Sequence, residues 1–396
     1  MGTALWNGAQ HLVSSTVRSI FTRAAIVRVA VGWGAVVGLV FAGPLLEPPV
    51  PTWLLITALV LIVGVVLVCA FGVVHEAEHL AHRLGDPYGS LVLTLSIVLI
   101  EVVLISAVML GPGEHATIAR DSVMAVSMII LNAVIGLSLL VGAMKHGNLG
   151  HNRTGTSSYL ALLVVLVSLA FALPALIGRD GSYTLGQEVP VIALTLALYA
   201  FFLYRQMGRQ ADDFREIDSG FTAGPDLPDS AEKRSRASVT QVIAEHKAEV
   251  LLRVVLLIVT VLPIVLLSHN MAALLDDGLG RVGAPVALSG VLIAMIVFLP
   301  ESITSVRAAL RGEIQRVSNL CHGALVSTVG LTIPAVLIIG ALTGQAVVLG
   351  ESPAKLLLLG VTLMLSVTTL ASKKVTAIHG AAHLVVFAVY GIAVFS

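Results

Sequence analysis

Two carboxylates occupy places where a carboxylate is costly. Glu101 lies in the apolar run 91–105 and Glu301 in the apolar run 291–303, each part of a stretch long enough to cross a bilayer. An ionisable side chain inside a spanning helix costs at least ~2.5–3.5 kcal/mol on insertion scales, which marks it as functional. One such residue alone could stay protonated or bond the backbone; two at matching places in similar halves point to a shared site. Brought together at low dielectric, two carboxylates cannot both stay ionised without a counter-charge. They bind protons or a cation, and the two compete for the same oxygens. Competition combined with alternating access gives antiport. A divalent ion matches the pair in charge, which favours Ca²⁺ against protons. A hard cation takes about six or more oxygens, so backbone carbonyls are expected to join.

Pro300 supplies a reason one carbonyl is free. Proline has no N–H, so the carbonyl of Ile296 loses its helical partner, and such groups are tolerated at membrane depth where they line a cavity. Pro334 does the same for Gly330. Asn132, Ser302, Thr304, Ser305, Ser327 and Thr328 are the polar side chains on the neighbouring segments.

The elements that must carry these groups follow from composition. With 57% hydrophobic and 12% charged residues, the chain is far poorer in charge than the ~25% of soluble domains. It reads as an all-α polytopic membrane protein. The zero net charge offers no basic patch for nucleic acid, and Cys69 and Cys321 sit in apolar runs that do not suggest a disulfide framework. A span needs about 20 mostly apolar residues, and eleven stretches qualify: roughly 26–44, 53–74, 89–111, 122–144, 158–178, 188–204, 250–268, 284–308, 319–343, 353–371 and 377–395. With the N-terminus in the cytoplasm and the C-terminus outside, nineteen Lys and Arg fall inside and four (Arg120, Arg179, Arg281, Lys355) outside, as the positive-inside rule asks. The first segment lacks a small-residue cleavage site and is read as a retained helix.

The expected organisation is a leading segment at 1–50, a five-helix repeat at 51–204, a polar cytoplasmic linker at 205–249 and a second five-helix repeat at 250–396. Five is odd, so the second repeat enters the membrane upside down. Glu101 and Glu301 fall on the second helix of each repeat. Inverted repeats around a midplane site are the pattern of secondary transporters. The linker mixes Asp212, Asp213, Glu216, Asp218, Asp226, Asp229 and Glu232 with basic residues, without EF-hand spacing.

A rival chemistry is present. His75-Glu76-Ala77-Glu78-His79 matches H-E-x-x-H, and Asp276-Asp277 would complete an intramembrane zinc metalloprotease. The aspartates fall in an expected external loop, opposite His75, and a protease would leave the paired glutamates unexplained. Otherwise His75, Glu76, Glu78, His79 and His82 form an acid–imidazole cluster at the cytoplasmic end that could relay protons or sense pH. His379 and His383, another i, i+4 pair, are read as helix packing.

The stretch from His75 through Gly85, with the Glu101 segment after it, resembles the first signature region of the ChaA-type bacterial cation/proton antiporters. Leu299-Pro300-Glu301-Ser302-Ile303 with Gly330-Leu331-Thr332-Ile333-Pro334 resembles their second. The resemblance spans nearly the whole chain and belongs to the cation/calcium exchanger superfamily. It implies an extra first helix before two inverted five-helix repeats, and inner-membrane export of Ca²⁺, Na⁺ or K⁺ against protons. It makes Glu101 and Glu301 the essential acids and Asn132 and Ser327 the polar cation- or proton-binding sites on the following helices, and no cofactor is expected. The Gly-Asn that the wider superfamily carries before each acid is Ile97-Val98 and Val297-Phe298 here. Fewer side-chain oxygens could suit Na⁺ or K⁺, so the ion, like homo-oligomer formation, stays open.

Overall fold

The computed structural model describes residues 20–46, 50–84, 88–110, 116–147, 150–208, 210–214, 247–285, 287–372 and 374–395. Side chains of 81–94, Arg18, Lys373 and most of the linker, including Glu216, Asp218, Asp226, Asp229 and Glu232, lie outside that description. In lipid the backbone must satisfy its own polar groups, and the apolar runs accordingly become helices. In chain order these are α1 Arg23–Ala42, α2 Thr52–Leu84, α3 Tyr88–Met109, α4 Ile118–His146, α5 Arg153–Ile177, α6 Leu185–Met207, α7 Lys247–Arg281, α8 Ala287–Arg311, α9 Ile314–Thr343, α10 Pro353–Ala371 and α11 Ala377–Val394. Ten are long and apolar enough to cross a membrane. The eleventh, α3, has 22 residues with Glu101 as its one charge. The leading helix α1 is followed by two five-helix repeats, α2–α6 and α7–α11.

Capping residues set several starts. Asn152 accepts from the amides of Thr154 and Gly155 to open α5, Thr184 and Gln187 form a capping box at α6, and Ser352 with Pro353 opens α10. Two helices outrun their expected spans. α2 has 33 residues and α7 has 35, whereas their apolar runs stop near 74 and 268. Ala, Leu, Glu and Arg after each run are good helix formers, so the helix outlasts the hydrophobicity. Asp276 and Asp277, expected in an external loop, therefore lie in the last turns of α7, where Asp277 pairs with Arg281 at 2.6 Å.

Among the described residues three helices carry a π-helical turn: α4 at Ile129–Val134, α5 at Ser168–Ala172 and α9 at Thr328–Thr332. Such turns break the regular bonding ladder and gather at functional sites. Those of α4 and α9 are repeat-equivalent, since Asn132 and Thr328 each stand 14 residues beyond the first residue of their helix.

The chain forms two compact units, residues 1–93 with 227–271, and residues 94–226 with 272–396. In the first, Gly32 of α1 lets Cys69 of α2 and Pro263 of α7 approach so closely that a Cβ would lie 2.9 Å from the sulfur, and Trp33 donates to the Val259 carbonyl at 3.1 Å. In the second, α4 packs on α8 and α11, while α9 packs on α5, α6 and α8. α5 also packs on α10.

Candidate cation and proton site

The second unit holds both glutamates. Glu101 and Glu301 are 3% and 7% exposed, and their carboxyls lie close enough for the charge on one to act on the other. Thr328, in the π turn of α9, donates its hydroxyl to Oε2 of Glu101 at 2.5 Å. Oε1 of Glu101 and Oε2 of Glu301 are buried without a hydrogen-bond partner in the protein. A buried acceptor left unmatched costs about 1–3 kcal/mol, more when charged, so both oxygens call for a proton or a cation. Glu301 lines a small cavity of about 10 Å³ with Ser302, Ser305 and Cys321, walled by Ile130 of the α4 π turn and by Phe298. That is about the space of one water, a scale suited to a single dehydrated ion or a proton-carrying water. Pro300 stands inside α8, so the Ile296 carbonyl lacks the amide of residue 300.

Asn132 and Ser327 sit on these π turns or beside them, each held from another helix. The amide nitrogen of Asn132 donates to Thr362 of α10 at 2.9 Å, and its oxygen meets Nδ1 of His383 of α11 at 3.3 Å. His383 in turn reaches Thr369 at 3.3 Å. The close approach requires Gly380, where a Cβ would stand 2.5 Å from the Gly136 carbonyl oxygen. Tyr199 of α6 donates to Ser327 at 3.0 Å; its ring covers Gly330, where a Cβ would be 2.9 Å away. Sequence reasoning did not assign Thr328 a bond to Glu101, nor Tyr199 and His383 any part. The one signal was polarity in apolar helices, and the bond from His383 to Asn132 appears only once α4 and α11 are packed.

The acid–imidazole cluster lies in the first unit, on α2. Arg253 of α7 bonds Glu76 at 2.8 Å and Glu249 at 3.3 Å, all three buried. His75 and His79 are exposed and meet edge to face at 4.6 Å between ring centroids; Glu78 is half-buried. The side chain of His82 lies outside the described residues. Among the described residues no group of three or more His, Cys, Asp or Glu is arranged to hold a metal ion. With Glu76 held by a guanidinium, the residue that a zinc protease would use as base is already engaged.

Among the described residues a leading helix precedes two five-helix repeats, and each repeat brings one buried acid into the second unit, the arrangement of a secondary transporter. The chain belongs to the sodium/calcium exchanger protein family, which matches residues 52–208 and 252–396. It is 33% identical over 338 residues to y4hA of Sinorhizobium fredii, named for ionic transport, covering 85% of this chain and 88% of that protein. It is 31% identical over 338 residues to the sodium-potassium/proton antiporter ChaA of Escherichia coli, covering 84% and 87%. Among solved structures, the Ca²⁺/H⁺ antiporter YfkE superposes with a TM-score of 0.65 at 14% identity, covering 94% of this chain and 99% of its own. The H⁺/Ca²⁺ exchanger CAX superposes at 0.64 with 15% identity, covering 93% and 87%. At those identities the two structures speak for the fold.

Proposed function

We propose that the protein exchanges a cation for protons across the inner membrane by alternating access, with Glu101 and Glu301 binding the cation and the protons in turn. The observation that carries this reading is the pair of buried carboxylate oxygens, one from each repeat, left without a partner although the two carboxyls interact. A proton or a cation can each satisfy these oxygens, and the two cannot occupy one oxygen together. Binding of either therefore releases the other. The Ile296 carbonyl and the hydroxyls near Glu301 supply further oxygens for a hard cation, and the ion is cargo, so no cofactor enters. Ca²⁺ is the first candidate because its charge balances two carboxylates. Phe298 in the cavity wall keeps the oxygen set small, which favours Na⁺ or K⁺ as second candidate. Asn132 and Ser327, held from α10, α11 and α6, shape the π turns around the acids, while the His75–His82 cluster sits at the cytoplasmic end of α2 as a proton relay or pH sensor. Residues 51–204 and 250–396 form the repeats and 205–249 the cytoplasmic linker, with the N-terminus inside and the C-terminus outside.

Proton flux from proteoliposomes under an imposed pH gradient tests this, with Ca²⁺, Na⁺ and K⁺ added separately. Glu101→Gln and Glu301→Gln are each expected to abolish exchange while the protein still inserts and remains monodisperse. Exchange at the full rate by either variant would remove the glutamates from the mechanism.

A further inference from the structure

A groove of about 620 Å³ between α5 and α10 takes no part in the site above. Along α5 its lining begins with Arg153, Thr154 and Ser157 and continues with Leu160 and Val164; Val367 faces them from α10. The α5 residues recur at helical spacing on one face. Their eleven-residue separation from 153 to 164 corresponds to about 16 Å. Along that length the chemistry changes from cationic to hydroxyl to apolar, which is the order of phosphate, glycerol ester and acyl chain in a phospholipid entering from the bilayer surface.

The helix terminus itself is not the attraction, because Asn152 already caps the amides of Thr154 and Gly155. The guanidinium is. Arg153 donates to the carbonyl of Ala371, which holds it across the mouth of the groove while its other N–H groups remain for a ligand. Lys374 is exposed just beyond α10, and among the described residues no acidic side chain lines the groove. We propose that the groove holds one phospholipid with an anionic headgroup: the phosphate at Arg153 and Lys374, the ester region beside Ser157, and an acyl chain along Leu160, Val164 and Val367. A free phosphate would leave the apolar half uncovered. A zwitterionic lipid would leave the two cations without net counter-charge.

Native mass spectrometry of the intact protein in detergent, titrated with phosphatidylglycerol or phosphatidylcholine of identical chains, tests the assignment. One phosphatidylglycerol per chain is expected to be retained in preference to phosphatidylcholine. Arg153→Gln should weaken that retention about fivefold, the effect of one cationic side chain at an anionic surface, and Arg153→Gln with Lys374→Gln about 25-fold. Arg179→Gln, beyond the other end of α5, should leave it unchanged. Val164→Phe fills the apolar half without touching charge and should weaken binding too, which keeps the test decisive if the charge variants fail to fold. Equal retention of the two lipids by the unaltered protein would overturn the proposal. So would unchanged phosphatidylglycerol binding in the well-folded double variant or in Val164→Phe.

Discussion

The two ends of the unit formed by 94–226 and 272–396 are equivalent by the repeat and opposite in chemistry. At one end the start of α4 meets the segment before α10. Arg120 pairs with Asp121 at 3.0 Å and reaches Glu351 at 3.7 Å, and Lys355 bonds Glu351 at 3.2 Å and Asp121 at 3.4 Å. At the other end the start of α9 meets the segment before α5. There Gln315 accepts from the Asn152 amide at 2.8 Å and donates to Asn319 at 3.0 Å, while His151 bonds the Leu370 carbonyl at 2.9 Å. His151 and Glu351 each stand two residues before their helix and both are buried. Each docks on the far end of the other repeat's helix, since the Glu351 amide donates to the Phe171 carbonyl at 3.3 Å. One backbone arrangement is thus bridged between the repeats by ion pairs at one end and, at the other, by amides, an imidazole and the Arg153 guanidinium on a carbonyl, with the Glu313–Arg316 pair there staying local to the start of α9. The fold requires a polar junction at each end, and the choice of ions or neutral groups is left to the residues.

Removing a cation should separate the ends most. Arg120→Gln leaves the buried Glu351 and Asp121 to share Lys355. A broken buried pair costs ~3–5 kcal/mol; discounted because Arg120 keeps some contact with water, the loss should be about 2–3 kcal/mol, read as a fall in melting temperature. His151→Gln removes one neutral bond to a carbonyl and should cost about 1 kcal/mol. If His151→Gln proves the more damaging, charge is not what distinguishes the two ends.

The finest separation is in pH. Burial lowers the pKa of His151 below its ordinary 6.5, the Leu370 bond opposes this, and Arg153 adds to it. The unfolded chain then binds that proton more readily, so the stability contributed by His151 is complete above pH ~6.5 and is lost as pH falls below it. Burial raises the pKa of Glu351 above its ordinary 4.5, with Lys355 and Arg120 pulling it back. Its contribution is complete below pH ~4.5 and declines as pH rises above that. Melting temperatures measured from about pH 4 to 8 should therefore show His151→Gln removing a loss on the acid side and Glu351→Gln removing a loss on the neutral side. Parallel curves for the two variants would erase the contrast.

Much of this was legible without coordinates. Eleven apolar runs forecast eleven helices because lipid offers the backbone no alternative partner, and Glu101 and Glu301 stand out because nothing else in 91–105 or 291–303 is charged. Helix ends were misjudged at α2 and α7, where hydropathy reports the apolar run and propensity carries the helix further. Pro334 marked a break in α9, and the structure makes it a π turn. The equivalent turn in α4 has no proline within it or directly after it, so no residue type announced it.

The sequence by itself determined that this chain lives in a membrane, that it repeats in inverted halves, and that each half carries one acid at depth. These are one-dimensional properties, set by composition, run length and the parity of helix count. Only the tertiary structure decided that Thr328 bonds Glu101, that His383 and Tyr199 hold Asn132 and Ser327, and that Glu76 is joined to Arg253. Each of these bonds links residues more than a hundred positions apart, and such contacts depend on how helices pack and on glycines at the crossings, which no local pattern encodes.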